Sequence, residues 1–225
     1  MKMTLRETGQ ISGDIYYFSF EPERHYGYIA GQFAEFTIAG VTDDPKGPRR
    51  WFTISSSPTE QLVTITVRMR QPLSSFKQAL RSLQLGEAIL SSDPLGDFVL
   101  PLDESRPLVW LAAGIGITPF GSMARWIVDS GERRSIRLLH ISNNPGGAAL
   151  DQLLDAASIK HQTISTIGTR PDAPAILAGI PAIADNSLVY ISGPENMAND
   201  IRASLLGSGY DRDMIIVDQF LGYDI

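Results

Sequence analysis

Cysteine is missing from all 225 residues. Disulfides, thiolate zinc sites, catalytic thiols and a Cys-ligated iron–sulfur cluster are therefore excluded within this chain. Histidine is scarce: His25, His140 and His161 are the full set, and no metal cluster is expected from them. Long apolar runs are missing too. The longest, Pro107–Ala113, falls far short of the ~18–20 residues that cross a bilayer. Met1–Gln10 carries Lys2, Arg6 and Glu7 without an apolar stretch, so it does not read as a signal peptide. Positive charge is in deficit: the formal net charge is −6, whereas a nucleic-acid footprint wants an excess of Lys and Arg. There is no internal repeat and no low-complexity tract. What remains is 43% hydrophobic and 20% charged, enough to bury a core as one large domain or two modest ones. A cytoplasmic chain is the expectation.

The two halves differ in pattern. Up to about Pro101, short strands alternate with turns. Asp14–Phe20 is rich in Ile, Tyr and Phe, and in Leu62–Arg70 the residues Val63, Ile65, Val67 and Met69 alternate with Thr and Arg, the period of a half-buried strand. One helix interrupts this half, with Phe76, Ala79, Leu80 and Leu83 at helical spacing behind Ser74 and Ser75, either of which can cap it. This predicts a small antiparallel barrel over residues 1–101. From Arg106 onward, continuous apolar runs at Leu108–Ala113, Ile136–Ser142, Thr163–Gly168, Leu188–Ser192 and Met214–Val217 read as strands buried on both faces. Helical faces at Phe120, Met123, Ala124 and Ile127, and at Met197, Ile201 and Leu205, fall between them. That alternation predicts an α/β parallel sheet over residues 106–225, with Val99–Arg106 as the linker.

Leu111-Ala-Ala-Gly114-Ile-Gly116-Ile-Thr118-Pro119 runs from buried strand through glycine turn to helix start. Gly114 and Gly116 allow a pyrophosphate to approach the backbone, Thr118 can cap the helix, and Pro119 suits its first turn. The third glycine of the usual dinucleotide fingerprint is absent, with Pro119 near its place. Ser192-Gly193-Pro194-Glu-Asn-Met197 is a second strand-to-helix turn. Two such turns on neighbouring strands would converge on one ligand. Each alone also fits a plain turn, with Met197 in the core.

Arg49-Arg50-Trp51-Phe52-Thr53-Ile-Ser-Ser-Ser57-Pro58 joins a cation, aromatics and hydroxyls, a chemistry that suits a flavin phosphate, ring face and ring nitrogen. In isolation a surface strand with a Trp-Phe pair is the more common explanation. The order along the chain is more informative. Gly31-Gln-Phe33, Arg50-x-Phe52-Thr53, Ser74-Ser75-Phe76, Pro94-Leu-Gly96-Asp-Phe98, Gly114-x-Gly116-Ile-Thr-Pro119 and Ser192-Gly-Pro194-x-x-Met197 follow one another. Across essentially its whole length the sequence resembles the ferredoxin–NADP reductase superfamily, in particular its bacterial FAD-dependent NAD(P)H oxidoreductase branch.

The resemblance implies a Greek-key flavin barrel followed by a nicotinamide-binding parallel sheet. It implies that Arg50 holds flavin phosphate, that Trp51 and Phe52 lie in the flavin region, and that Thr53 bonds the flavin near N5. It implies that Val67, Arg68 and Met69 offer backbone to the ring edge, and that Ser74 and Ser75 bind the pyrophosphate, favouring FAD over FMN. Ser192 would lie by the nicotinamide, where many members carry Cys. Asp218, Phe220 and Tyr223 would lie by the flavin ring, or equally serve as capping carboxylate and core aromatics. Departures are Phe52 for Tyr, Thr53 for Ser, and Gln71-Pro72 where a Gly commonly precedes the serine pair. No cation occurs in Asn143-Asn-Pro-Gly-Gly-Ala-Ala after the second strand, which favours NADH over NADPH unless Arg170 supplies one. The implied activity is hydride transfer from NADH or NADPH to FAD, with Thr53 and Ser192 nearest the reacting atoms, then electron transfer to a separate acceptor. Two alternatives stay open: a flavin reductase releasing reduced flavin, and a non-catalytic dinucleotide-binding module. Any iron–sulfur centre taking part would lie on another chain or on a segment beyond these residues.

Overall fold

The computed structural model describes residues 1–142, 147–165, 171–178 and 186–218. Two compact units divide the chain, Met1–Val99 and Leu100–Ile225.

The first unit contains β1 (Lys2–Ser12), β2 (Ile15–Pro22), β3 (Phe33–Thr37), β4 (Arg49–Thr53), β5 (Val63–Arg68), α1 (Ser75–Ser82) and β6 (Ala88–Ser91). Its strands form one antiparallel sheet in the order β4-β3-β6-β1-β2-β5. The two edges meet. Ile54 bridges Ile65, and the Ser55 N–H donates to the Thr64 carbonyl at 2.8 Å, closing the sheet into a Greek-key barrel and removing its open edges. Alternation places Val63, Ile65 and Val67 of β5 inside, against Phe20, Phe36 and Ile54. Helix α1 adds Phe76 and Leu80, both fully buried, to the same core. Burying two such side chains stabilises the unit by about 1.5–3 kcal/mol each. Ser74 is the cap, its hydroxyl oxygen accepting the Lys77 N–H at 3.3 Å.

The second unit runs β7 (Leu108–Ala113), α2 (Thr118–Ser130), β8 (Ile136–Ser142), α3 (Gly147–Ala156), β9 (Lys160–Ser165), α4 (Ala173–Ala178), β10 (Leu188–Ser192), α5 (Glu195–Gly207) and β11 (Ile215–Val217). All five strands are parallel, in the order β11-β10-β7-β8-β9. Strands β7 and β10 are buried at every position, as continuous apolar runs require in a sheet covered on both faces. The chain winds outward from β7 through β8 to β9, then returns to the other side of β7 for β10 and β11. The direction reverses between β7 and β10. In open parallel sheets, ligands collect at the carboxyl ends of the strands flanking such a reversal.

Two edge elements differ from the sequence expectation. Strand β9 begins at Lys160 rather than Thr163, because an edge strand tolerates the polar Lys160-His161-Gln162 that a buried one would not. Residues 166–168 of the expected strand lie outside the described residues. Strand β11 begins at Ile215 because Arg212–Met214 forms a short 3-10 turn capped by Asp211.

Candidate functional site

In the second unit, both expected turns fall at the reversal. Strand β7 ends in Gly114, whose φ of +54° is left-handed and favours glycine. A 3-10 turn over Gly114–Ile117 follows and leads straight into α2. Thr118 does not cap this helix from outside. It is the first helical residue, and its hydroxyl donates to the Ile115 carbonyl at 3.0 Å. The preceding position is Ile117, so no side-chain oxygen caps the helix; the Thr118 N–H is bonded instead to the Ile115 carbonyl of the 3-10 turn. Pro119 sits in the first turn as expected.

Strand β10 ends in Ser192 and Gly193, with Pro194 at the N-cap of α5. The two turns touch. A Cβ on Gly116 would stand 2.4 Å from the Ser192 carbonyl oxygen and 2.8 Å from the Gly193 nitrogen. One on Gly193 would stand 2.8 Å from Ala113 Cβ and 3.0 Å from Met197 Cε. The structure thus brings Gly114, Gly116, Thr118, Pro119, Ser192, Gly193 and Pro194 together. Met197 is different: it packs into the apolar cluster with Leu111, Ile191 and Ile201.

Ser192 is fully buried, and its hydroxyl donates to Asp218 Oδ2 at 2.9 Å. Asp218 follows β11, its N–H bonded to the Ile191 carbonyl at 2.9 Å. Burial pushes its carboxyl up to about 7, against the opposing pull of the Ser192 bond. Ser192 and Asp218 were separate expectations from the sequence; the fold joins them into one buried pair. Phe220 and Tyr223, with Asn143–Pro145 and Arg170, lie outside the described residues. A cavity of about 260 Å³ lies where α4 and α5 begin, lined by Pro171, Asp172, Ala173, Asn196, Met197 and Asp200 among others.

In the barrel, β4 carries Arg50, Trp51, Phe52 and Thr53. Trp51 packs edge-on to Phe33, with ring centroids 5.4 Å apart. Phe52 lies between Phe36 and Phe76, at 6.1 and 5.9 Å, and Thr53 is buried. Val67 and Met69 point into the core. Two of the backbone groups expected to face a ring are engaged within the protein. The Met69 N–H donates to the Asp14 carbonyl at 2.6 Å, and the Arg68 carbonyl accepts from Lys77 Nζ at 2.9 Å.

Arg50 is buried and committed. One guanidinium nitrogen donates to the carbonyls of Lys46, Gly47 and Arg49 at 3.2, 2.9 and 2.6 Å. The other pairs with the Asp44 carboxylate, and the guanidinium carbon lies 5.3 Å from the centroid of the Phe76 ring. Asp44 Oδ2 also accepts the Phe76 N–H, in the first turn of α1, at 3.0 Å. Ser74 and Ser75 stand at the same helix end, both half-buried. Lys77 and Arg68 complete a cationic cluster. Burial, then the charges of Arg50 and Arg68, push the Lys77 amine below its ordinary value. Arg68 Nε is buried without a hydrogen-bond partner, 3.7 Å from Asp14 Oδ1. Sequence reasoning missed Lys77 and Asp44. Lys77 had a signal, a cation three residues after the cap, whereas Asp44 lies in Thr42-Asp-Asp-Pro-Lys-Gly47, which carries no motif that singles it out.

No family model matches the chain. Among curated proteins it is 25% identical over 211 residues to Flavohemoprotein A of Dictyostelium discoideum, covering 86% of this chain and 52% of that one. It is also 25% identical over 202 residues to the Stachydrine N-demethylase reductase subunit Stc4 of Rhizobium meliloti, covering 83% and 56%. Among solved structures, a ferredoxin NADP+ reductase from Neisseria gonorrhoeae with bound FAD and NADP superposes with a TM-score of 0.80 at 19% identity, covering 97% of each chain. The chain has the two-domain fold of the ferredoxin–NADP reductase superfamily. It spans about half the length of the curated relatives it matches.

Proposed function

We propose that the chain is an FAD-dependent NAD(P)H oxidoreductase that passes electrons to a separate acceptor. The observation that carries this reading is the contact between the Gly114–Gly116 turn and the Ser192–Gly193 turn at the reversal of the parallel sheet. That contact sets two glycine turns side by side at the carboxyl ends of β7 and β10, where a dinucleotide pyrophosphate would approach the backbone. Residues 106–225 act as the nicotinamide-binding domain and residues 1–101 as the flavin-binding barrel.

The barrel fits a phosphorylated flavin. Arg50, Arg68, Lys77 and the start of α1 stand close together, and Arg68 Nε, which makes no hydrogen bond and lies 3.7 Å from Asp14, is a donor that an anionic ligand would satisfy. Ser74 and Ser75 would sit by the pyrophosphate, and Phe52 and Thr53 by the ring system. A bound flavin supplies two-electron chemistry, accepting hydride from a nicotinamide and giving electrons one or two at a time. The chain's own residues orient and shield. Gly114 and Gly116 admit the dinucleotide backbone, and the Ser192–Asp218 pair presents a fixed polar group at the end of β10. Hydride transfer needs alignment more than acid–base groups.

NADH is the favoured donor. The cavity at the starts of α4 and α5 carries Asp172 and Asp200, which would repel a 2′-phosphate if the adenosine end of the donor entered it. No helix among the described residues is long and apolar enough to cross a membrane. The acceptor is a protein or small molecule outside this chain.

Reconstitution with FAD and anaerobic assay with NADH and a redox dye, in the presence of free FAD, test the reading. The expected result is a yellow protein that reduces the dye and prefers NADH to NADPH. Nucleotide binding without flavin absorbance near ~450 nm would favour a non-catalytic dinucleotide module instead.

A further inference from the structure

We propose that Asp44 is an internal stand-in for flavin phosphate, so that flavin binds by displacing a carboxylate of the protein itself and is held exchangeably. The inference rests on the flavin reading above and names the residue that sets flavin retention.

The Asp44 side chain is 1% exposed, while its neighbours Thr42, Asp43, Pro45 and Lys46 are all exposed. One carboxylate is turned inward from a surface turn. Its two oxygens take the two donors best suited to a phosphate: Oδ1 pairs with Arg50, and Oδ2 accepts the Phe76 N–H at the start of α1. Lys46 N–H steadies the turn by donating to Oδ1 at 3.0 Å. Three cations, Arg50, Arg68 and Lys77, face this region. Asp44 pairs with Arg50, and Asp14 lies against Arg68 and acts on Lys77.

Arg50 is 5% exposed. One of its terminal nitrogens is spent on three carbonyls and the other on Asp44. An incoming phosphate gains this guanidinium and the Phe76 N–H together when the Asp44 turn swings out. The phosphate offers more oxygens and more charge than the carboxylate it replaces. It must still repay the contacts broken, so apparent affinity falls by the cost of vacating the site. A flavin without phosphate does not compete for these donors. The arrangement therefore weakens FAD selectively and favours a protein whose flavin exchanges with solution.

Equilibrium titration with FAD and with riboflavin, on the wild-type chain and on Asp44→Asn, tests this. The amide keeps one acceptor oxygen, for either the Phe76 or the Lys46 N–H, and gives up the charge. Asp44→Ser, small and neutral, gives a second reading should the amide variant fold poorly. The expected result is FAD binding tightened about tenfold or more, as loss of one competing charge-assisted contact implies, with riboflavin affinity unchanged. FAD binding that stays equal or weakens in the variants overturns the inference alone, because Asp44 would then be a fixed support for Arg50. An equal gain for riboflavin also overturns it. Failure of every protein to bind either flavin overturns the flavin reading itself.

Discussion

Gly116→Ala inserts one methyl group where the two turns of the second unit meet. The new Cβ would lie 2.4 Å from the Ser192 carbonyl oxygen, 2.6 Å from its carbon and 2.8 Å from the Gly193 nitrogen. All three atoms are backbone, so no side chain can rotate away. Relief requires the ends of β7 and β10 to part by about 1 Å, and overpacking of this kind costs about 1–3 kcal/mol or more. For a unit of this size the melting temperature should fall by roughly 5–12 °C. The functional loss should be larger, since a displacement near 1 Å can cost about a hundredfold in rate, so kcat/KM for NADH should drop about tenfold to a hundredfold. Gly207→Ala is the control. It lies in the same unit with nothing within 4 Å of its Cβ, and it should melt at the wild-type temperature or slightly above. Calorimetry and steady-state NADH kinetics on the three proteins settle the matter. Wild-type melting and wild-type NADH kinetics in Gly116→Ala would refute the claim that these turns form one rigid dinucleotide floor.

Arg50→Ala should strand the Asp44 carboxylate and destabilise the barrel by about 3–5 kcal/mol, with FAD binding weakened in equilibrium titration; a barrel of unchanged denaturation midpoint would contradict the buried pairing. Gly114→Val should slow flavin reduction by NADH while flavin stays bound, since a β-branched residue at φ +54° distorts the turn; equal loss of both ligands would instead show unfolding. Asp218 has a carboxyl raised from 3.8 in the unfolded chain to about 7 by burial, so its contribution is fully present below pH 3.8 and is lost as pH rises through 7. The difference amounts to roughly 4 kcal/mol at most. Asp218→Asn should therefore gain stability over wild type at pH 8 but not at pH 4, and parallel melting curves across that range would count against the buried neutral carboxyl.

Much of the fold was legible because burial on both faces leaves a plain signature. The apolar runs at Leu108–Ala113, Ile136–Ser142 and Leu188–Ser192 coincide with β7, β8 and β10 to the residue. Edge strands were less so, since β9 opens with Lys160, His161 and Gln162, which one open edge tolerates. Strand order was not legible at all: that β10 returns to pair with β7, placing Gly116 against Ser192, is a long-range fact that local pattern does not encode. The same limit hid the barrel's ion pair. Arg50 read as a ligand cation because the residue that neutralises it, Asp44, sits six positions upstream in a stretch of Asp, Pro and Gly that looks like an ordinary turn. Ser192 and Asp218 were each picked out by motif, but their bond depends on β10 and β11 being neighbours.

Anaerobic addition of NADH to the FAD-reconstituted protein, followed by flavin absorbance near ~450 nm, tests the central claim most directly. The expected result is bleaching with about one NADH per flavin, faster with NADH than with NADPH, and recovery of colour when an oxidising acceptor is added. A protein that binds FAD and stays yellow in excess NADH would contradict it.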